Sequence, residues 1–181
     1  MVLGRYLVGE FREVYAMSET FVKRRPLPED PRRRGRRVTV DDAVCVMGRF
    51  RNGALATLEA ARFAQGRKNA LTIEINGSAG SRVFDPEQMN RLQFYSARDR
   101  EKQRGFRQIL VTESAHPYVG QWWPPAHLVG YEHSFVHTIA DFGRAIVARK
   151  NIAPTFAGGL ANQRVLEAIA QSARKRAWVR L

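Results

Sequence analysis

Asp42-Ala-Val-Cys-Val-Met-Gly-Arg-Phe-Arg51, then Asn52-Gly53, then Ala54-Leu-Ala-Thr-Leu-Glu-Ala-Ala-Arg62 is the stretch that decides the fold. Two apolar runs around Asn-Gly predict a β-hairpin, with a type I′ turn whose two central residues both take positive φ. Alternation places Val44, Val46 and Phe50 on one face and Cys45 and Met47 on the other. A strand that is apolar on both faces is expected to be covered on both sides. Helices of the same chain are expected to provide one cover and a second subunit the other.

The neighbouring segments extend this pattern. Phe11 to Val22 is rich in β-formers and predicts a strand, and Pro26, Pro28 and Pro31 then interrupt regular structure. Downstream, Leu71, Ile73 and Ile75 alternate with Thr72 and Glu74, and Asn76 to Gly80 reads as a turn. Arg82–Phe84, Leu92–Tyr95 and Ile109–Thr112 are further strand candidates, and the charged residues 98–105 read as an exposed turn. The last third changes period. In Tyr131–Lys150, Phe135, Ile139, Phe142 and Ile146 share one helical face, which is expected to meet the core. Leu160–Arg176 carries a second stripe of Leu160, Val165, Leu166, Ile169 and Ala173, and Trp178-Val179 reads as a closing edge strand. Strands followed by helices predict an α+β fold: a largely antiparallel open sheet with helices packed on one face.

The chain has 181 residues, which predicts a single domain over 1–181. A hydrophobic fraction of 44% excludes wholesale disorder. No apolar run reaches the roughly 20 residues of a membrane helix. Cys45 stands alone, which excludes an internal disulfide and predicts a reducing, cytoplasmic setting. Residues 1–9 read as the end of a truncated helix stopped at Gly9.

Thirty Lys and Arg against 17 Asp and Glu give a net charge of +13. Segment 23–37 holds eight of the cations and two acids, inside a basic Pro/Arg loop predicted over 23–40. A nucleic-acid reader lines cations along one structured face and mixes in aromatics. No aromatic lies between Phe21 and Phe50, so the cluster reads as a solvated loop, with polyanion or nucleic-acid binding as the alternative.

Neither G-x-G-x-x-G nor G-x-x-x-x-G-K-[ST] occurs, so the sequence holds no nucleotide-binding fingerprint. His133 and His137, four apart on a helix, share a stripe with Asp141 and Arg144 opposite Phe135 and Ile139. This stripe is expected to point away from the core, toward solvent or a partner, and lacks H-E-x-x-H. No Ser sits in a G-x-S-x-G elbow, and Cys45 reads as a small buried hydrophobe in a strand. Residues 116–133 concentrate two Trp, two Tyr and three His among prolines. Such a loop either stacks sugar rings on its aromatic faces or packs Trp122 and Trp123 as a lid on the core.

Asp42…Arg62, Gly66-Arg67-Lys68-Asn69, Asn76-Gly77-Ser78-Ala79-Gly80-Ser81-Arg82-Val83-Phe84-Asp85, Trp122-Trp123-Pro124-Pro125-Ala126-His127, Gly130-Tyr131-Glu132-His133-Ser134-Phe135-Val136-His137 and Arg164-Val165-Leu166-Glu167-Ala168-Ile169 occur in this order. Together they resemble the C-terminal domain of the Gfo/Idh/MocA oxidoreductases, over nearly the whole chain. The resemblance implies a dihydrodipicolinate-reductase-like α+β domain that covers substrate and makes subunit contacts. In complete members an N-terminal Rossmann domain binds NAD or NADP, and hydride moves between nicotinamide and a sugar or cyclitol. The family's acid/base groups are a lysine in E-K-P and an Asp/His helix motif. Glu101-Lys102-Gln103 is not E-K-P, and the Asp/His motif would precede Arg5. The resemblance therefore assigns this chain no catalytic residue, no cofactor-binding residue and no metal. It implies a domain that is inactive alone, with Arg62, Trp123, His127 and Tyr131 as substrate-side contacts. It also implies a homo-oligomer formed through the open sheet face.

Overall fold

The computed structural model describes residues 1–28 and 35–181, in two compact units. One unit comprises 1–66 and 153–181, and the other comprises 67–152.

The first unit is built on the hairpin. β1 (Phe11–Glu19), β4 (Ala43–Phe50) and β5 (Leu55–Ala61) join β10 (Val179–Arg180) in a four-stranded antiparallel sheet of order β10-β1-β4-β5. α1 (Val2–Leu7) precedes it, and α3 (Phe156–Lys175) packs on β1. The core is Phe11, Val14, Ala16, Val46, Phe50, Val165, Ala168 and Ile169. The Phe11 and Phe50 rings stack at 4.2 Å, and they do so over Gly48, where a Cβ would lie 2.7 Å from Phe11 Cε1. Glycine there makes room for the aromatic pair. The predicted face assignment of Val46 and Phe50 against Cys45 and Met47 is the observed one. Cys45 is exposed rather than buried as expected, because no described element of its own unit covers that face of the sheet: Met17, Met47 and Leu55 stand on it with Tyr15, and Trp178 lies 5.8 Å from Tyr15.

The hairpin turn differs from the expectation. Gly53 N–H donates to Phe50 O and Phe50 N–H to Ala54 O, with Gly53 at φ +91° and no positive φ at Asn52. This is a three-residue connection, a type I turn closed by a left-handed glycine, rather than type I′. Asn52 contributes through its side-chain amide instead, which accepts from Ala54 N–H and donates to Val8 O, tying the turn to the end of α1.

The basic loop expected over 23–40 also differs. Arg24–Pro26 (β2) pairs antiparallel with Gly35–Arg37 (β3), with Arg24 opposite Arg37 and Arg25 opposite Arg36. Asp42 anchors this ribbon, accepting from Val22 N–H at 2.9 Å and from Arg25 at 3.2 Å. That anchor converts part of the expected loop into strand. Arg32, Arg33 and Arg34 of the cluster lie outside the described residues.

The second unit holds β6 (Ile73–Gly77), β7 (Gly80–Phe84), β8 (Arg91–Ser96) and β9 (Arg107–Leu110) in an antiparallel meander. Ile73, Phe84, Leu92 and Ile109 pair in one cross-strand row, the apolar seam of this sheet. Gly80 has φ +155°, and a Cβ there would sit 2.2 Å from Tyr95 O, so the β6–β7 turn requires glycine. α2 (Tyr131–Ala148) completes the unit.

The α+β class with antiparallel pairing is thus observed, with the described strands divided among two four-stranded sheets and the two-stranded β2–β3 ribbon. No helix among the described residues is long and apolar enough to cross a membrane.

Candidate functional site

The second unit carries an open cleft of about 970 Å³. One wall is the 3₁₀ turn Pro86–Gln88 with Met89, Asn90 and Arg91, and the other is the segment Trp123 to His133 that leads into α2. Asp85 starts the turn by accepting from Glu87 N–H. Asn90 joins the walls: its amide donates to Val129 O at 2.8 Å and accepts from Val129 N–H at 2.9 Å. A side-chain amide bonded in both directions acts like an extra strand rung and fixes the spacing across the cleft.

The aromatic wall is held against α2. Trp122 Nε1–H donates to His137 Nε2 at 2.6 Å, and the Trp122 ring meets His133 edge-on at 4.4 Å. Tyr118 stacks on His137 at 4.3 Å and donates its hydroxyl to Asp141 at 2.6 Å. That bond, opposed by burial and aided by Arg144 and His137, holds the Asp141 carboxyl below its usual range. Backbone strain accompanies the arrangement, since Tyr118 and Ala126 take φ of +68° and +73°. Non-glycine residues occupy this region at a cost and persist only where surrounding contacts impose it. Trp123 is left half exposed.

These contacts reverse the expected orientation of α2. His133 is buried and His137 half-buried, whereas Phe135, Ile139, Phe142 and Ile146 are each more than half exposed. Periodicity correctly groups each stripe but does not say which is covered. Here the aromatic loop covers the histidine side, because imidazole nitrogens satisfy the Trp122 and Gly130 N–H groups.

Of the four predicted substrate contacts, Trp123 and His127 line the cleft together. His127 Nδ1 lies 3.1 Å from Pro124 O, which folds the Pro-Pro turn beneath the ring. Tyr131 sits in the first turn of α2, two-thirds exposed and edge-on to Phe135, outside the cleft lining. Arg62 belongs to the first unit, just past β5, with its backbone N–H donating to Asp42 O. Asn90, Glu132 and His133 line the cleft and were not among the predicted contacts. The available signal was the pairing of an i, i+4 histidine pair with the tryptophans just upstream.

Three glycine N–H groups bear on dinucleotide binding. A pyrophosphate cradle needs free backbone N–H groups at a strand-to-helix turn. Gly158 N–H instead donates to the Thr155 hydroxyl at the start of α3, Gly159 N–H to Thr155 O, and Gly130 N–H to the His133 ring. These three N–H groups are thus committed to partners within the chain. Among the described residues no group of three or more His, Cys, Asp or Glu is placed to hold a metal ion.

Residues 3–181 match the family described as the oxidoreductase family, C-terminal alpha/beta domain. Levoglucosan dehydrogenase of Pseudarthrobacter phenanthrenivorans is 40% identical over 194 residues, covering 98% of this chain and 48% of that protein. An oxidoreductase domain protein from Kribbella flavida superposes with a TM-score of 0.91 at 51% identity, covering 98% of this chain and 46% of that one. A levoglucosan dehydrogenase complex with NADH and levoglucosan superposes with a TM-score of 0.91 at 41% identity, covering 99% and 47%. The chain spans about half the length of the relatives it matches. With residues 3–181 matched and the fold shared, the chain belongs to the Gfo/Idh/MocA oxidoreductase family, of which it is the C-terminal α/β domain.

Proposed function

We propose that this chain is the substrate-binding and subunit-contact domain of an NAD(P)-dependent sugar or cyclitol oxidoreductase, and that it is inactive alone. The observation that carries the reading is the cleft whose aromatic wall leaves Trp123 half exposed beside His127 and Asn90. A flat apolar face beside hydrogen-bonding groups suits a pyranose, whose C–H face stacks while its hydroxyls bond. The similarity to levoglucosan dehydrogenase supports an anhydrosugar or pyranose as the ligand class. On this reading nicotinamide chemistry falls to a dinucleotide-binding domain of the kind complete family members carry; the committed Gly158 and Gly130 N–H groups and the NADH complex of levoglucosan dehydrogenase, of which this chain covers 47%, support it.

Two exposed apolar surfaces support an assembly role. Met17, Met47, Leu55 and Trp178 on the sheet fit contact with a second copy of the chain, and the Phe135–Ile146 stripe of α2 is surface that a larger assembly buries. Reduced Cys45 on the sheet face fits a cytoplasmic setting.

Calorimetry with NADH and NADPH tests the division of labour: no binding heat is expected, and tight binding by this chain alone overturns it. Levoglucosan added to labelled chain is expected to shift the Trp123 indole resonance with millimolar affinity, and Trp123→Ala to abolish the response. A second reading rests on the β2–β3 ribbon, where arginines face arginines across both pairs. Like charges directly opposite repel, and a polyanion relieves that repulsion. A steep fall of polynucleotide affinity with salt is its signature.

A further inference from the structure

We propose that His133 and His137, in their neutral forms, are positioning residues that clamp the aromatic wall onto α2, so that protonating them releases the wall. The clasp is read from hydrogen bonds alone; only its consequence for a sugar rests on the function proposed above. Each ring uses a bare nitrogen lone pair. His137 Nε2 accepts from Trp122 Nε1–H at 2.6 Å, and His133 Nδ1 accepts from Gly130 N–H at 3.0 Å. An indole or amide N–H can only donate, so both bonds require an unprotonated acceptor. The imidazolium carries N–H at both positions, and each contact then sets two donors against each other.

His133 here stands in for the Glu or Gln that ordinarily reaches back from the third helical residue to the N-cap amide. A carboxylate or amide in that place keeps an acceptor oxygen, whereas an imidazole gives up its acceptor when it is protonated. The two histidines hold successive parts of the same wall. His137 takes Trp122, and His133 takes Gly130 while lying edge-on to Trp122 and near Trp123. Other groups facing His137 are Asp141 on its own helix, with Arg144 bonded to that carboxylate, and the stacked Tyr118 from the loop. Facing His133 are Glu132, whose Oε1 lies 3.4 Å from Nδ1, and the rings of Trp122 and Trp123. Loss of the Trp122 bond leaves Tyr118 held through Asp141 and lets the residues from Trp122 to the strained Ala126 shift, and Trp123 moves with them.

The test follows the three indole N–H resonances of the full chain in ¹H–¹⁵N spectra from about pH 8 to about pH 5, assigned by single Trp→Phe variants. The Trp122 resonance and the Gly130 amide are expected to move in one transition each, while the Trp178 indole stays in place. His137→Gln supplies a carbonyl acceptor that does not titrate. It is expected to hold the Trp122 resonance at its neutral-pH position throughout. His133→Glu is expected to do the same for the Gly130 amide, and His127→Gln to leave both transitions intact. A flat Trp122 resonance in the parent, or an undiminished transition in His137→Gln, overturns the proposal. Levoglucosan is added in a separate arm. Binding that weakens on acidification in the parent and persists in His137→Gln supports the coupling of clasp to cleft. Absence of sugar binding at every pH, with both transitions present, overturns the sugar reading and leaves the clasp standing.

Discussion

Removing one hydroxyl, in Ser172→Ala, tests how the first unit is held together. β10 is only two residues long and pairs with β1 at Glu13 and Val14, so beyond Val14 that edge of β1 has no ladder partner among the described residues. Ala16 N–H is buried there, and Ser172 Oγ on α3 accepts it at 2.9 Å. The same hydroxyl donates to Ala177 O at 2.6 Å, closing the chain as it leaves α3. Alanine at 172 strands Ala16 N–H in a site with no water access, at a cost of about 1–3 kcal/mol. Ala177 is exposed, so its carbonyl finds water and adds little. The expected loss is about 2 kcal/mol, a fall in the midpoint of roughly 8–16 °C for a unit of this size. Trp178 is the only tryptophan in residues 1–66 and 153–181, so with Trp122→Phe and Trp123→Phe in both parent and variant, fluorescence during urea unfolding reports this unit. Exposed Lys175→Ala on the same helix is the control and is expected within about 0.5 kcal/mol of the parent. A Ser172→Ala value no larger than that control, at unchanged slope, refutes the argument that α3 completes the edge of the sheet.

Gly80→Ala is expected to destabilise the second unit by about 2 kcal/mol or more, because its Cβ would meet Tyr95 O and its φ is positive; amide exchange across β6–β8 measures this. The Asp42 carboxyl is held below its usual range, chiefly by Val22 N–H, then by Phe21 N–H and Arg25, against an opposing effect of burial. A depressed carboxylate stabilises the fold above its unfolded value, near 3.9, and loses that stabilisation as pH falls through the folded value. Asp42→Asn is therefore expected to be less stable than the parent at neutral pH and to converge with it on acid unfolding; a constant gap contradicts the linkage. If the open sheet face docks a second copy, Met47→Lys lowers the mass seen by sedimentation and speeds thiol-reagent labelling of Cys45 on the same face. Equal mass and equal labelling rates in parent and variant would show the face to be free.

The readings that succeeded concern residues whose neighbours in space are also neighbours in sequence. Alternation in 43–50 fixes which side chains share a face whatever lies above them, so Val46 and Phe50 are legible as core. The turn type failed for a related reason: Asn-Gly marks where the chain reverses, but loop length depends on which residues end the ladder, and Phe50–Ala54 pairing adds Arg51 to the turn. On α2 the pattern gives two stripes, and hydrophobicity alone chooses Phe135 and Ile139 as the buried one. That choice assumes that the nearest cover is apolar. The loop that arrives instead carries indole and backbone N–H groups, and burying a donor without an acceptor costs more than leaving an apolar face in contact with water. The histidines supply those acceptors, so they take the covered side, and the apolar stripe is left for another surface. The same logic places Asn90 in the cleft wall. Its side chain both gives to and takes from Val129, a match that no periodicity encodes.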